Sequence, residues 1–210
     1  LKKKISNKIK IIEDSACATG AQISGKFTGH YSDASAFSFH PRKIITTGEG
    51  GMVTTNSKYL FKKMSVLRNH GATPLKVNKP YLMARFKTLG YNYRMSDIHA
   101  ALGLSQLSRL GEFISRRRQI AKRYDNELQD LPIRTPVQNP DGLSSYHLYP
   151  IRLNLDEINM TQREFYDLVR SKGLLANLLY IPVYRQPYYE SLGFLEGYCP
   201  EAESYFHETI

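Results

Sequence analysis

At 210 residues, 41% hydrophobic and 23% charged, the chain has ordinary globular composition, enough for one sizeable domain or for a small domain plus part of another. No apolar run approaches the roughly 18 residues of a membrane span, and Leu1-Lys2-Lys3-Lys4 lacks the apolar core and cleavage site of a signal peptide. The net charge of +10 is spread along the chain with no DNA- or RNA-reading motif beside it, so nucleic acid is not expected, while an anionic small molecule is compatible.

In chain order, residues 9–13 predict a short buried strand ending at Asp14. The small residues 16–21 suit either a helix start or a tight crossing. Residues 25–33 read as a loop, 34–39 as an aromatic strand, 48–51 as a glycine turn and 51–55 as another strand. Apolar positions Leu60, Met64 and Leu67 predict a helix over 57–69, and residues 71–85 look irregular. After an aromatic turn at 91–95, Ser96-Asp97 caps one long helix running to about Leu128. Pro132 and Pro136 end that pattern. Residues 133–144 read as a linker or loop, 146–153 as a strand, 161–172 as a helix capped by Thr161, 174–183 as a strand, and 200–210 as a helix opened by proline. The expectation is α/β, with a large domain over 1–132 and part of a small α/β domain over 133–210. The Arg116-Arg117-Arg118 run reads as a solvated helix face. Cys17 and Cys199 stand far apart without a metal-binding pattern, which suits a reducing, cytoplasmic setting. The chain begins without Met and ends within a predicted helix, so both ends are expected to be internal to a longer protein.

Lys43 lies between a short strand and the glycines 48–51. Alone it reads as a surface cation. Ser38, five residues earlier, offers a hydroxyl for a phosphate, and the glycines let backbone approach a flat group closely. The lysine precedes the glycines, so this is not a nucleotide-binding GxxxxGK[ST] loop. Asp14 ends a strand expected beside the Lys43 strand, where open α/β sheets place their sites. It is either a loop carboxylate or the partner of a pyridine nitrogen.

Segments 12–21 (IEDSACATGA), 29–43 (GHYSDASAFSFHPRK), 47–56 (TGEGGMVTTN), 67–71 (LRNHG) and 90–106 (GYNYRMSDIHAALGLSQ) resemble, in order and spacing, the DegT/DnrJ/EryC1/StrS sugar aminotransferases. The resemblance implies the aspartate-aminotransferase-like fold type I with a mixed sheet, and pyridoxal 5'-phosphate (PLP) as cofactor. It implies Lys43 as covalent anchor and proton shuttle, Asp14 as partner of the ring nitrogen and Ser38 as a phosphate ligand. Asn92 matches an asparagine that reaches the neighbouring subunit's cofactor phosphate, which implies a homodimer.

The wording GKFTGHYSDASAFSFHP, KIITTGEGGMVTTN, YHLYPI and YIPVYRQPYY is similar to members that transfer an amino group from glutamate to C4 of a UDP-linked 4-keto-6-deoxy-N-acetyl-hexosamine in pseudaminic acid biosynthesis. His147, Tyr180 and Tyr184 are secondary candidates for the substrate site. Two positions depart from the family's pattern. Cys17 stands where Gln or His touches the cofactor ring, and Leu179 stands where His is usual. Lys43 itself is retained, unlike in the family's dehydratase branch. A complete family member is nearly twice as long, so the chain alone is expected to bind PLP weakly or not at all. The alternative is a truncated, non-catalytic remnant with a binding role or none.

Overall fold

Strand β1 (Ile12–Asp14) opens the chain's first sheet. The structure is a computed structural model that describes residues 9–74 and 84–210. A hairpin follows, β2 (Gln22–Ile23) and β3 (Lys26–Phe27), then β4 (Ala34–Ser38) and β5 (Gly51–Thr54). β1 and β4 run parallel, with Asp14 opposite Ala36, and β5 returns antiparallel to β4. The sheet β1-β4-β5 is therefore mixed, as expected. Residues 16–21 form turns rather than a helix.

Small polar residues lock β1 to β4. Ser15 and Ser35 are fully buried and their hydroxyls meet at 2.7 Å, so neither is left unsatisfied. Glu13 accepts from the Gly29 amide at 2.8 Å and the Ser32 hydroxyl at 3.1 Å, which fastens the loop between β3 and β4 to β1. Phe39, Ile44 and Ile45 are buried, so the turn carrying Lys43 is rooted in the core on both sides of the lysine.

Helix α1 (Lys58–Arg68) starts at Ser57, whose hydroxyl accepts from the Leu60 amide at 3.3 Å. The stretch 71–85, expected to be irregular, contains an antiparallel pair, β6 (Ala72–Pro74) and β7 (Ala84–Phe86). Three-residue strands are too short to show an alternation; the expectation for 75–83 lies outside the described residues. The single long helix is in fact two, α2 (Asp97–Leu107) and α3 (Leu110–Glu127). At the break the Ser108 hydroxyl donates to the Ser105 carbonyl at 2.9 Å and the Arg109 amide bonds Gln106 at 3.1 Å, three residues back. A side chain competing for backbone groups and a tightened last turn end α2 without proline or glycine.

Next come β8 (Ile133–Arg134), β9 (Gly142–Leu143) and β10 (Arg152–Leu153), then α4 (Gln162–Ser171), α5 (Pro187–Glu190) and α6 (Pro200–Glu208). β9 pairs with β2, Leu143 opposite Gln22, so residues 133–144 are not a free linker. Only Arg152–Leu153 of the expected strand 146–153 is extended in a ladder. Residues 174–183 form no strand: Leu174, Leu175 and Tyr180 are exposed, and no strand among the described residues pairs with them.

The chain groups into two compact units. One comprises 1–118 and 138–147, the other 119–137 and 148–210. In the second, β8 and β10 pair around the fully buried Leu153, and the end of α6 bonds reciprocally with Ile151 at 2.9 Å. Glu208 gathers this unit's charges. It accepts from Arg152 at 2.7 and 3.0 Å, from Arg134 at 2.5 Å and from the Ser204 hydroxyl at 2.6 Å.

The Ser204 hydroxyl first, then Arg152 and Arg134, hold the Glu208 carboxyl below its ordinary value of 4.5. A depressed carboxylate adds stability that is complete above the unfolded-state value and fades as pH falls through the folded one. Glu208→Gln is expected to cost about 1–2 kcal/mol at neutral pH and to flatten the acid limb below about pH 4.5. Urea titrations at several pH values check this.

Candidate active site

The parallel pairing of β1 and β4 brings their C-terminal ends to one edge of the sheet, with Asp14 last in one strand and Ser38 last in the other. Asp14 is exposed; one carboxylate oxygen accepts from the Ala16 amide at 3.0 Å. The Ser38 hydroxyl accepts from the His40 amide at 3.4 Å. The chain then turns, the Lys43 amide bonding the His40 carbonyl at 2.9 Å, and Lys43 reaches back towards the loop after β1. Its Nζ donates to Cys17 Sγ at 3.0 Å. Four sequence candidates, Asp14, Cys17, Ser38 and Lys43, thus occupy the same end of one sheet.

His147 joins this environment. Burial first, then the charges of Lys43 and Arg117, hold its imidazole below the usual histidine range. Its Nδ1 is buried with no hydrogen-bond partner among the described residues. Tyr146, just before it, adopts φ +47°, a left-handed conformation uncommon outside glycine. Two arginines hold this segment. Arg117 donates to the carbonyls of Tyr146 and His147 at 3.0 and 3.4 Å, and Arg118 to that of Ser144 at 2.8 Å. These half-buried side chains correct the solvated-face expectation. Sequence spacing carries no signal for them, because their acceptors are backbone carbonyls far along the chain.

Asn92 lies on the turn after β7, where its backbone bridges to Asn69. The flanking Tyr91 and Tyr93 rings stack at 4.8 Å and 7°. No hydrogen bond among the described residues ties Asn92 to the group around Lys43. Tyr180 and Tyr184 belong to the second unit. Tyr180 is 76% exposed, while the Tyr184 hydroxyl donates to Glu203 and accepts from the Cys199 amide at 3.3 Å. Leu179 is half-buried. Among the described residues no cluster of His, Cys, Asp and Glu side chains could hold a metal ion, and no helix is long and apolar enough to cross a membrane.

The model of the DegT/DnrJ/EryC1/StrS aminotransferase family matches residues 3–210. The chain belongs to this family. Among relatives, it is 34% identical over 203 residues to the UDP-4-amino-4,6-dideoxy-N-acetyl-beta-L-altrosamine transaminase of Helicobacter pylori, covering 96% of this chain and 52% of that protein. It is 36% identical over 184 residues to the GDP-perosamine synthase of Caulobacter vibrioides, covering 87% and 48%. Its fold superposes with a TM-score of 0.86 on Helicobacter pylori PseC, an aminotransferase involved in the biosynthesis of pseudoaminic acid. That match is 32% identical and covers 96% of this chain and 53% of PseC. The chain spans about half the length of the curated relatives it matches.

The DegT/DnrJ/EryC1/StrS enzymes are PLP-dependent sugar aminotransferases of fold type I, and the mixed sheet with Lys43 and Asp14 at one edge is part of that fold. The residues present fit such a cofactor. An amine, an exposed carboxylate at a strand end and a buried imidazole nitrogen without a partner suit a flat aldehyde carrying a basic ring nitrogen. The placement of Cys17 under the Lys43 amine is what sequence reasoning misses, since the two are 26 positions apart.

Proposed function

We propose that this chain provides the lysine-bearing part of a cytoplasmic, homodimeric aminotransferase. The enzyme moves an amino group from glutamate to C4 of a UDP-linked 4-keto-6-deoxy-N-acetyl-hexosamine in pseudaminic acid biosynthesis. The observation that carries this is Lys43 reaching back to the loop after the Asp14 strand. Similarity to the Helicobacter pylori transaminase supports a UDP-linked 4-amino sugar, while similarity to a GDP-perosamine synthase leaves the nucleotide to experiment.

PLP, when bound, supplies an aldehyde and an electron-withdrawing ring. Lys43 would hold it covalently and, once free, would move a proton at Cα of the amino donor. Asp14 would keep a proton on the ring nitrogen. The Ser38 hydroxyl, and Asn92 from the partner subunit's copy of this chain, would bind the phosphate. His147, whose buried Nδ1 has no partner among the described residues, would add a hydrogen-bonding group to the site. Residues 1–132 would belong to the cofactor-binding domain and 133–210 to the small domain; His147, Tyr180 and Tyr184 are each candidates for substrate contact.

The test is to incubate the protein with PLP, glutamate and the UDP-4-keto sugar and to identify the product by NMR. An amine at C4 of the UDP sugar is expected. Amination at C3, or turnover only with a GDP sugar, overturns the substrate. A second reading, a non-catalytic remnant, is favoured by the thiol of Cys17 holding the lysine amine. It predicts no turnover and no cofactor fixed on Lys43 by borohydride.

A further inference from the structure

Cys17 is an exposed free thiol, and its Sγ stands 3.0 Å from the Lys43 amine. The two groups come from rigidly held places. Cys17 follows the strand end locked by the buried Ser15–Ser35 contact, and Lys43 precedes the buried Ile44 and Ile45. Little motion is needed to join them, so an intramolecular reaction between them has a high effective concentration. An exposed thiol is open to small oxidants, and a sulfenic acid condenses readily with a nearby nitrogen or thiol. The other cysteine, Cys199, is a built-in contrast: it is also exposed, but its amide and carbonyl engage the Tyr184 hydroxyl and no lysine follows Lys172 in the sequence.

We propose that Cys17 and Lys43 form a peroxide-triggered, thiol-reversible sulfur–nitrogen crosslink that withdraws the Lys43 amine from reaction with carbonyl compounds. In the first step the Cys17 sulfur attacks one oxygen of hydrogen peroxide. The O–O bond breaks, an S–O bond forms, and the departing hydroxide leaves as water with the thiol proton. Sulfur loses two electrons and the peroxide gains them. In the second step the lone pair of the unprotonated Lys43 amine attacks the sulfenyl sulfur. An S–N bond forms, the S–O bond breaks, and the hydroxide leaves as water with an amine proton; this step has no net redox change. A thiol reductant reverses it by attacking sulfur, returning the amine with a proton and leaving a mixed disulfide that a second thiol resolves. With its nitrogen bonded to sulfur, Lys43 cannot bond an aldehyde, so the site is closed until reduced.

The full chain, free of PLP, is treated with hydrogen peroxide, quenched with catalase and examined by intact mass and peptide mapping. The expected product is lighter by two hydrogens and yields one peptide joining Cys17 to Lys43. It forms faster at alkaline pH and disappears with dithiothreitol. Cys17→Ser and Lys43→Arg lose it, Cys199→Ser keeps it, and circular dichroism establishes that each variant is folded. Cys17 advancing to sulfinate, or forming only disulfides, with no joined peptide overturns the proposal, as does a joined peptide that survives in Lys43→Arg. The mass readout needs neither cofactor nor turnover, so its failure and that of the proposed aminotransferase function are separable.

Discussion

Lys43→Ala is expected to lower amino transfer by about 10⁴-fold or more, measured as turnover of glutamate and the UDP-4-keto sugar. On the proposed roles the substitution would remove two functions at once, the cofactor's covalent anchor and the carrier of the donor's Cα proton. Lys43→Arg is expected to do no better, because a guanidinium keeps its proton and cannot bond an aldehyde. A small external amine should restore part of the rate to Lys43→Ala but none to Lys43→Arg, where the cavity is filled. Stability is expected to move by less than about 0.5 kcal/mol, since the side chain's described hydrogen bond is to a weak acceptor, the Cys17 thiol. Substantial turnover in Lys43→Ala, or borohydride fixing PLP at another lysine, would remove Lys43 from its proposed role.

Gly71→Ala should be the most damaging small substitution in the first unit, costing about 3 kcal/mol or more. Gly71 has φ +76°, and a Cβ there would lie 1.8 Å from the Thr88 carbonyl oxygen. The obstacle is backbone, so no rotamer relieves it. Gly90 faces the same junction, where an added Cβ would meet the Gly71 amide at 2.1 Å. The two glycines let the chain after β7 press against the end of α1, where the Tyr91 amide bonds Leu67 at 2.7 Å and the His70 amide bonds Tyr91 at 2.8 Å. Gly25 provides the control: its φ is +72°, but nothing lies within 4 Å of an added Cβ. Gly25→Ala should cost only the left-handed strain, about 1–2 kcal/mol. Urea midpoints of the two variants separate collision from strain; equal losses would refute the argument. Because the same junction sets the turn that carries Asn92, Gly71→Ala should also weaken binding of a phosphate-bearing cofactor.

The strands at the candidate site are legible because their sequences announce their ends. Asp14 closes an isoleucine run, and Ala34–Ser38 passes directly into His40-Pro41, which cannot continue a ladder. Helix starts at Ser57, Ser96 and Thr161 are legible for the same local reason, a hydroxyl accepting the first free amides. What the sequence hides is decided at long range. Leu174 to Val183 looks like a strand by composition, yet a strand exists only if another edge accepts it. Ser108 and Arg109 carry no helix-breaking residue type, and the break appears only in their hydrogen bonds. Arg117 and Arg118 show charge in the sequence, while their carbonyl acceptors appear only in the fold. The juxtaposition of Cys17 with Lys43 is of the same kind, two ordinary residues given chemistry by their meeting.

The pairing of β9 with β2 has a kinetic consequence. Gln22 and Leu143 are separated by more than half the chain, whereas β2 and β3 are joined by a turn at Ser24-Gly25. The hairpin can close within microseconds, whereas its third strand closes a loop of more than a hundred residues and is expected to pair later, with Arg118 bonding the carbonyls beside it. His147 follows four residues behind Leu143, so its placement is tied to the same late pairing. During refolding the sheet edge that bears Asp14 and Lys43 should acquire its native strands first and its histidine last.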